Sequence, residues 1–238
     1  MGSLPVLQAI GLAGQRGERP LFEHLDLALD AGSVTWLRGR NGRGKTTLLR
    51  LLAGLAAPTA GEIRLGGASG GRTARETGPA WRRMLVFIGH HNALKDDLDA
   101  GEALAFLCRL SGARPTPAQI EAALARLGVQ HKRRAPVRTL SQGQRRRVAL
   151  ARLALSDGAP LWLLDEPFDA LDADGIDALN AVIGSHALAG GCVLLTSHQA
   201  LSIRQPVPAV LDLEAFAPAA RPATGRSTTR ETGDAAGR

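Results

Sequence analysis

The run Gly39-Arg40-Asn41-Gly42-Arg43-Gly44-Lys45-Thr46 constrains the fold of this chain more than any other segment. It matches the spacing G-x-x-x-x-G-K-[ST], with a short apolar strand at 33–37 before it and a helical stretch to Leu52 after it. Glycine lets the backbone wrap closely with its N–H groups turned inward, and the N-terminus of the following helix adds partial positive charge. Such a loop cradles phosphate through residues 39–47. Lys45 is placed to neutralise the β- and γ-phosphates, the Thr46 hydroxyl to ligate Mg²⁺, and Thr47 to cap the helix or donate to the α-phosphate. The plainer alternative is a glycine-rich turn ahead of an ordinary helix.

The rest of the chain alternates strand and helix. Leu4–Leu12 and Leu25–Leu29 alternate apolar and polar residues, which predicts strands, and Gly61–Leu65 predicts another. Gly54 and Pro58 end the helix that follows the loop. Residues 92–156 are richer in helix, with helical periodicity over Ala100–Leu110 and Pro117–Leu127. Ser141 is an N-cap for a helix predicted to run to about Ser156. Pro160–Leu164 and Cys192–Thr196 are unbroken apolar runs between helices, as in strands buried within a parallel sheet. Aromatic residues make up only 3% of the chain, so its core rests on Leu, Val, Ile and Ala. Pro218–Arg238 turns to Ala, Pro, Thr, Arg and Gly and is expected to be disordered.

Leu161-Trp162-Leu163-Leu164 ends in the adjacent acids Asp165 and Glu166. Two carboxylates at the end of a buried strand are costly unless cations meet them. With a phosphate loop upstream, Asp165 suits a Mg²⁺ ligand, through water, and Glu166 a general base that orients and polarises an attacking water. Cys108 and Cys192 lie in apolar stretches without CxxC spacing and are expected to be buried small hydrophobes. No run approaches the roughly 18 apolar residues of a membrane span. The N-terminus also lacks a basic segment followed by an apolar one. The expectation is a soluble chain, or one held at a membrane only by a partner.

Between loop and acids lies Leu140-Ser141-Gln142-Gly143-Gln144, which resembles the L-S-G-G-Q signature of ABC ATPases. Asp169-Ala170-Leu171-Asp172 resembles their D-loop, and Thr196-Ser197-His198 their switch histidine. The motifs fall in family order from Leu4 to Leu213. The resemblance implies an α/β fold with a RecA-like core, an N-terminal antiparallel β part and a helical subdomain at about 92–156. It also implies ATP sandwiched in a head-to-tail dimer. Ser141, Gly143 and Gln144 would then meet nucleotide bound on a second copy, and His198 would touch the γ-phosphate and hold the attacking water.

Three positions depart from the family pattern. Gln142 replaces a glycine. His90, in Phe87-Ile88-Gly89-His90-His91-Asn92, stands where the Q-loop carries glutamine, which brings a pH-sensitive side chain to that position. Arg16 stands where an aromatic residue usually stacks on adenine, and a guanidinium can stack there instead. The motifs as a set resemble those of the ATP-binding subunits of haem exporters in bacterial cytochrome c maturation systems. That resemblance implies a peripheral ATPase at the cytoplasmic face of the inner membrane, working with integral membrane subunits.

Net charge is +7 and uneven, with eleven Lys and Arg between Arg109 and Arg152 opposed only by Glu121. Such a concentration suits nucleic acid, an anionic lipid or an acidic partner, or is simply a solvated surface with a few phosphate-facing groups. A non-transport ABC ATPase acting on nucleic acid therefore stands beside the transport reading, as does an exporter of another small solute. Coiled coils, zinc modules and a second ATPase domain, which usually accompany the nucleic-acid type, are not visible. No nucleic-acid partner is expected.

Overall fold

A computed structural model describes residues 5–66, 72, 73, 76, 78, 81, 83–156 and 158–218. The segment expected to be disordered lies outside the described residues from 219 onward.

The chain opens with a long hairpin, β1 (Pro5–Arg16) and β2 (Arg19–Asp30), and β1 also pairs antiparallel with β4 (Ala60–Leu65). These strands exceed the alternating stretches seen in the sequence. Register shifts between Ala9 and Leu12 and between Leu12 and Gly14 break the alternation that would have announced the rest of β1. A bulge exchanges the two faces of a strand, so the pattern fades while the ladder continues. With β5 (Arg72–Thr73) the antiparallel sheet has the order β2-β1-β4-β5.

A second sheet is parallel throughout, in the order β6-β7-β8-β3-β9. Its strands are β3 (Val34–Arg38), β6 (Leu85–Ile88), β7 (Leu161–Leu164), β8 (Cys192–Thr196) and β9 (Ala209–Asp212). Each buried strand feeds two cores by turns, because successive side chains leave opposite faces. Leu161, Leu163, Cys192 and Leu194 pack with α1 (Lys45–Leu52) and the antiparallel sheet, among Leu12, Phe22, Leu25, Leu48 and Leu49. Trp162, Leu164, Val193 and Leu195 pack on the other face, beneath Leu104, Leu124, Val148, Leu179 and Ile183.

That second core carries the helical part: α2 (Ala100–Leu110), α3 (Pro117–Arg126) and α4 (Gln142–Leu150), with α5 (Ala173–Leu188) after β7. The helix expected from Ser141 to about Ser156 divides in two. α4 ends at Leu150 and a tighter 3-10 helix continues over Ala151–Leu155. No helix is long and apolar enough to cross a membrane among the described residues.

Candidate functional site

The carboxyl ends of β3, β7 and β8 converge on one cavity of about 310 Å³, the place where an open parallel sheet binds ligands. Arg40, Asn41, Gly42, Gly44, Lys45, Thr46 and Thr47 form one wall; Asp165, Glu166, His198, His90 and Arg16 line the rest. Almost every residue singled out in the sequence within one copy of the chain is therefore brought together.

The loop owes its use to what it lacks. α3, α4 and α5 each begin with a side-chain cap, from Thr116, Ser141 and Asp172. α1 begins at Gly44, in the left-handed region at φ 109, with no side-chain cap. The first N–H groups of a helix have no partner within it. Here they are left for an anion from outside, at the positive end of the helix. A Cβ on Gly44 would lie 3.0 Å from Cβ of Leu21, so the turn needs glycine for space as well as conformation. Lys45 folds back across the loop and donates from Nζ to the Gly39 carbonyl at 2.7 Å.

A chain of hydrogen bonds joins the start of α1 to the ends of β7 and β8. The Thr46 hydroxyl donates to Asp165 Oδ2 at 2.8 Å, and the Thr196 hydroxyl donates to Asp165 Oδ1 at 3.1 Å. Thr196 Oγ1 in turn accepts from the Glu166 N–H at 2.7 Å. One Glu166 oxygen accepts from the His198 N–H at 3.1 Å, and the other lies 3.5 Å from His198 Nε2. Glu166 itself holds a left-handed conformation, at φ 47, unusual for a residue with a side chain. Burial pushes its carboxyl above the ordinary glutamate range; His198 works against that shift, Asp169 adds to it, and Lys45 and Thr196 oppose it. A half-shielded carboxylate with a raised pKa beside a phosphate cradle is suited to take a proton from water.

Thr46 and Asp165 offer adjacent hard oxygen donors, the set that Mg²⁺ takes when most of its shell comes from water and phosphate. The described residues contain no group of three or more His, Cys, Asp or Glu side chains placed to hold a metal by themselves. The donor chemistry therefore fits a metal that arrives with a phosphate ligand.

Other expected residues sit outside the cavity. Arg43 turns away from it, with Nε 3.3 Å from Glu214 Oε2. Ser141 and Gln144 cap α4 reciprocally: the Ser141 N–H donates to Gln144 Oε1 at 3.1 Å and Ser141 Oγ accepts from the Gln144 N–H at 3.2 Å. Gln142, the departure from the signature pattern, takes the first helical position and leaves that cap whole. Gly143 packs against the Ala170 carbonyl, which a Cβ would approach to 2.7 Å. Signature and D-loop are thus in contact within one copy. His90 Nδ1 lies 3.7 Å from Asp169 Oδ2, tying the Q-loop position to the same D-loop.

Arg146 escaped the sequence argument, which counted it with the surface charge. It is 3% exposed and donates to the carbonyls of Gly89, Asp165, Glu166 and Pro167 and to Asn92 Oδ1. One guanidinium on α4 thereby joins the Q-loop to the end of β7. Its neighbours are also engaged within the chain: Arg145 with Asp96 and two carbonyls, Arg147 with Asp172, and Arg152 with the Phe87 carbonyl. Much of the basic run is internal scaffolding. The only signal in the sequence was an arginine run within a predicted helix, and periodicity over nine residues does not resolve which of three consecutive arginines points inward.

Comparisons with known proteins agree with this geometry. The ABC transporter family profile matches residues 22–169. A Pseudomonas putida protein named cytochrome c biogenesis ATP-binding export protein CcmA is 49% identical over 200 residues, 84% of this chain and 92% of that protein. Its namesake from Albidiferax ferrireducens is 43% identical over 90% of this chain and the whole of that protein. Among solved structures, an ABC transporter ATP-binding protein from Pyrococcus furiosus superposes with a TM-score of 0.75 at 25% identity, covering 89% of this chain and 99% of that one. An ATP-binding cassette in a dimeric post-hydrolysis state with ADP and phosphate shares the fold, with a TM-score of 0.69 at 22% identity over 81% of this chain and 88% of that one. The chain is an ATPase domain and belongs to the ABC transporter family, in the group of the cytochrome c biogenesis ATP-binding export proteins.

Proposed function

We propose that this chain is the ATP-hydrolysing subunit of an export complex that supports haem delivery in c-type cytochrome biogenesis. ATP lies along the loop, its phosphates on the uncapped amides of α1 and its β- and γ-phosphate charge met by Lys45. Arg16 also lines the cavity, and its guanidinium can lie against a base. Mg²⁺, held through Thr46 and Asp165, would supply charge neutralisation at the phosphate oxygens. Glu166 accepts the proton of the attacking water, and His198 holds that water and the γ-phosphate in line. The observation that carries the hydrolytic part is the hydrogen-bonded chain Thr46–Asp165–Thr196–Glu166, ending against His198.

Ser141 and Gly143 do not line the cavity of their own copy and sit at a helix N-terminus. This supports a head-to-tail pair in which they close the site of a second copy. The membrane partner would be an integral transporter subunit at the cytoplasmic face of the inner membrane. A hollow of about 490 Å³ bordered by Leu55, Leu85, Phe87 and Leu110 suits its docking segment, with Leu55 and Leu110 well exposed.

The specific biological role rests on the 43–49% identity to the cytochrome c biogenesis proteins. Deleting the gene and assaying holo-cytochrome c tests it. Loss of covalently haem-bearing cytochromes, restored by the wild-type gene but not by Lys45→Ala, is the expected result. Normal c-type cytochromes in the deletion strain would overturn the assignment while leaving the ATPase intact.

A further inference from the structure

The phosphate loop is gripped from outside by the last turn of the described chain. β3 and β9 run parallel with Arg38 opposite Asp212, so the loop and the 3-10 turn Leu213–Phe216 leave the sheet side by side. The Asp212 carboxylate accepts the Glu214 N–H at 3.0 Å and fixes the start of that turn. Leu213 is fully buried, and a Cβ on Gly39 would lie 3.3 Å from its Cβ. From this footing Glu214 meets the loop with both oxygens. One accepts the Arg40 N–H at 2.9 Å; the other lies 3.3 Å from Arg43 Nε.

A carboxylate beside an anion-binding loop works against the phosphate charge, so its presence calls for a compensating role. The contacts supply one. By drawing the Arg40 amide and the Arg43 guanidinium outward, Glu214 fixes both flanks of the loop, while Lys45 and the α1 amides remain turned inward. Arg43 and the Arg40 amide balance its charge where it stands. We propose that Glu214 is a positioning residue for nucleotide binding, holding the phosphate loop in its receptive conformation from the neighbouring strand. The proposal rests on the reading of this cavity as the nucleotide site.

The test uses the whole chain, a fluorescent ATP analogue for affinity, steady-state hydrolysis for KM and kcat, and thermal unfolding for the fold. Glu214→Ala is expected to weaken binding and raise KM about tenfold, with kcat within about twofold and the unfolding midpoint nearly unchanged. Glu214→Gln keeps an acceptor for the Arg40 N–H but loses the ion pair, and is expected to give an intermediate rise, about threefold. This near-isosteric variant also carries the test should the alanine variant fold poorly. Adding Arg43→Ala to Glu214→Ala should cost little more, because the two side chains act as one unit. Unchanged or tighter binding in Glu214→Ala overturns the proposal. So does a lowered unfolding midpoint with an unaltered KM, which would make the turn structural only. Failure of the wild type to bind nucleotide would overturn the site reading and the clamp together, whereas normal wild-type binding with an unaffected Glu214→Ala overturns the clamp alone.

Discussion

Glu166 leaves β7 at φ 47 and reaches back to His198, a conformation held by the Thr196 hydroxyl on its own amide. Strain of this kind persists where surrounding contacts over-determine it, and here it aims a carboxylate into the cavity. Replacing it by Gln keeps the shape and removes the proposed base. Glu166→Gln is expected to lower the rate of phosphate release by about 10²–10⁴ while nucleotide binding survives. A general base acts only when deprotonated, so with Glu166 in that role turnover falls as pH drops through its pKa. Because burial holds that pKa above the ordinary value of 4.5, the acid limb of the kcat profile should lie above that of an exposed glutamate. Thr196→Val removes a contact that lowers the pKa, so the limb should move to higher pH, measured as kcat against pH at saturating ATP. The identity of the acids and the threonine was legible from their place at strand ends. The mutual hydrogen bonding was not, since 31 residues separate Asp165 from Thr196 and only the parallel register of β7 and β8 joins them.

At the scale of elements, α4 does two jobs from its two sides. Its N-terminus presents the signature, while Arg146 on its buried face holds the Q-loop and the end of β7. Removing that side chain leaves several buried carbonyl oxygens without donors, the costly half of hydrogen-bond energetics. Arg146→Met is expected to lower the free energy of unfolding by about 3 kcal/mol or more, read from urea denaturation. Gly143 is the other sensitive point. Gly143→Ala sets a Cβ 2.7 Å from the Ala170 carbonyl, so the D-loop or α4 must shift. Turnover should fall while binding of nucleotide to a single copy persists, checked by comparing ATPase rate with binding of the fluorescent analogue. Strands β7 and β8 and helices α2 and α3 were visible as patterns. α5 was not, because Gly175, Asn180 and Gly184 on its buried side blur the apolar stripe.

At the scale of the molecule, one copy brings the phosphate loop, Asp165, Glu166 and His198 to one cavity, while Ser141 and Gly143 of the signature are not part of its lining. That arrangement makes sense for two copies exchanging signatures. In Glu166→Gln, ATP is expected to double the sedimenting mass, and Ser141→Arg in that background should abolish the doubling by placing a bulky side chain at the helix end proposed to meet nucleotide and by removing the Ser141 cap. A mass unaffected by ATP in Glu166→Gln would rule out the sandwich for this chain.

The sequence by itself determined the chemistry: a glycine loop with Lys45 and Thr46, the acids Asp165 and Glu166, and a signature beginning at Ser141 are local patterns whose spacing follows from a strand, a turn and a helix start. Tertiary structure decided which groups meet. It turned Arg43 outward to Glu214, buried Arg146 between Q-loop and β7, and set Glu166 against His198. Those pairings depend on strand order and on the packing of helices over the sheet, which bring residues far apart in the chain within hydrogen-bond reach, and no local pattern in a single sequence encodes them.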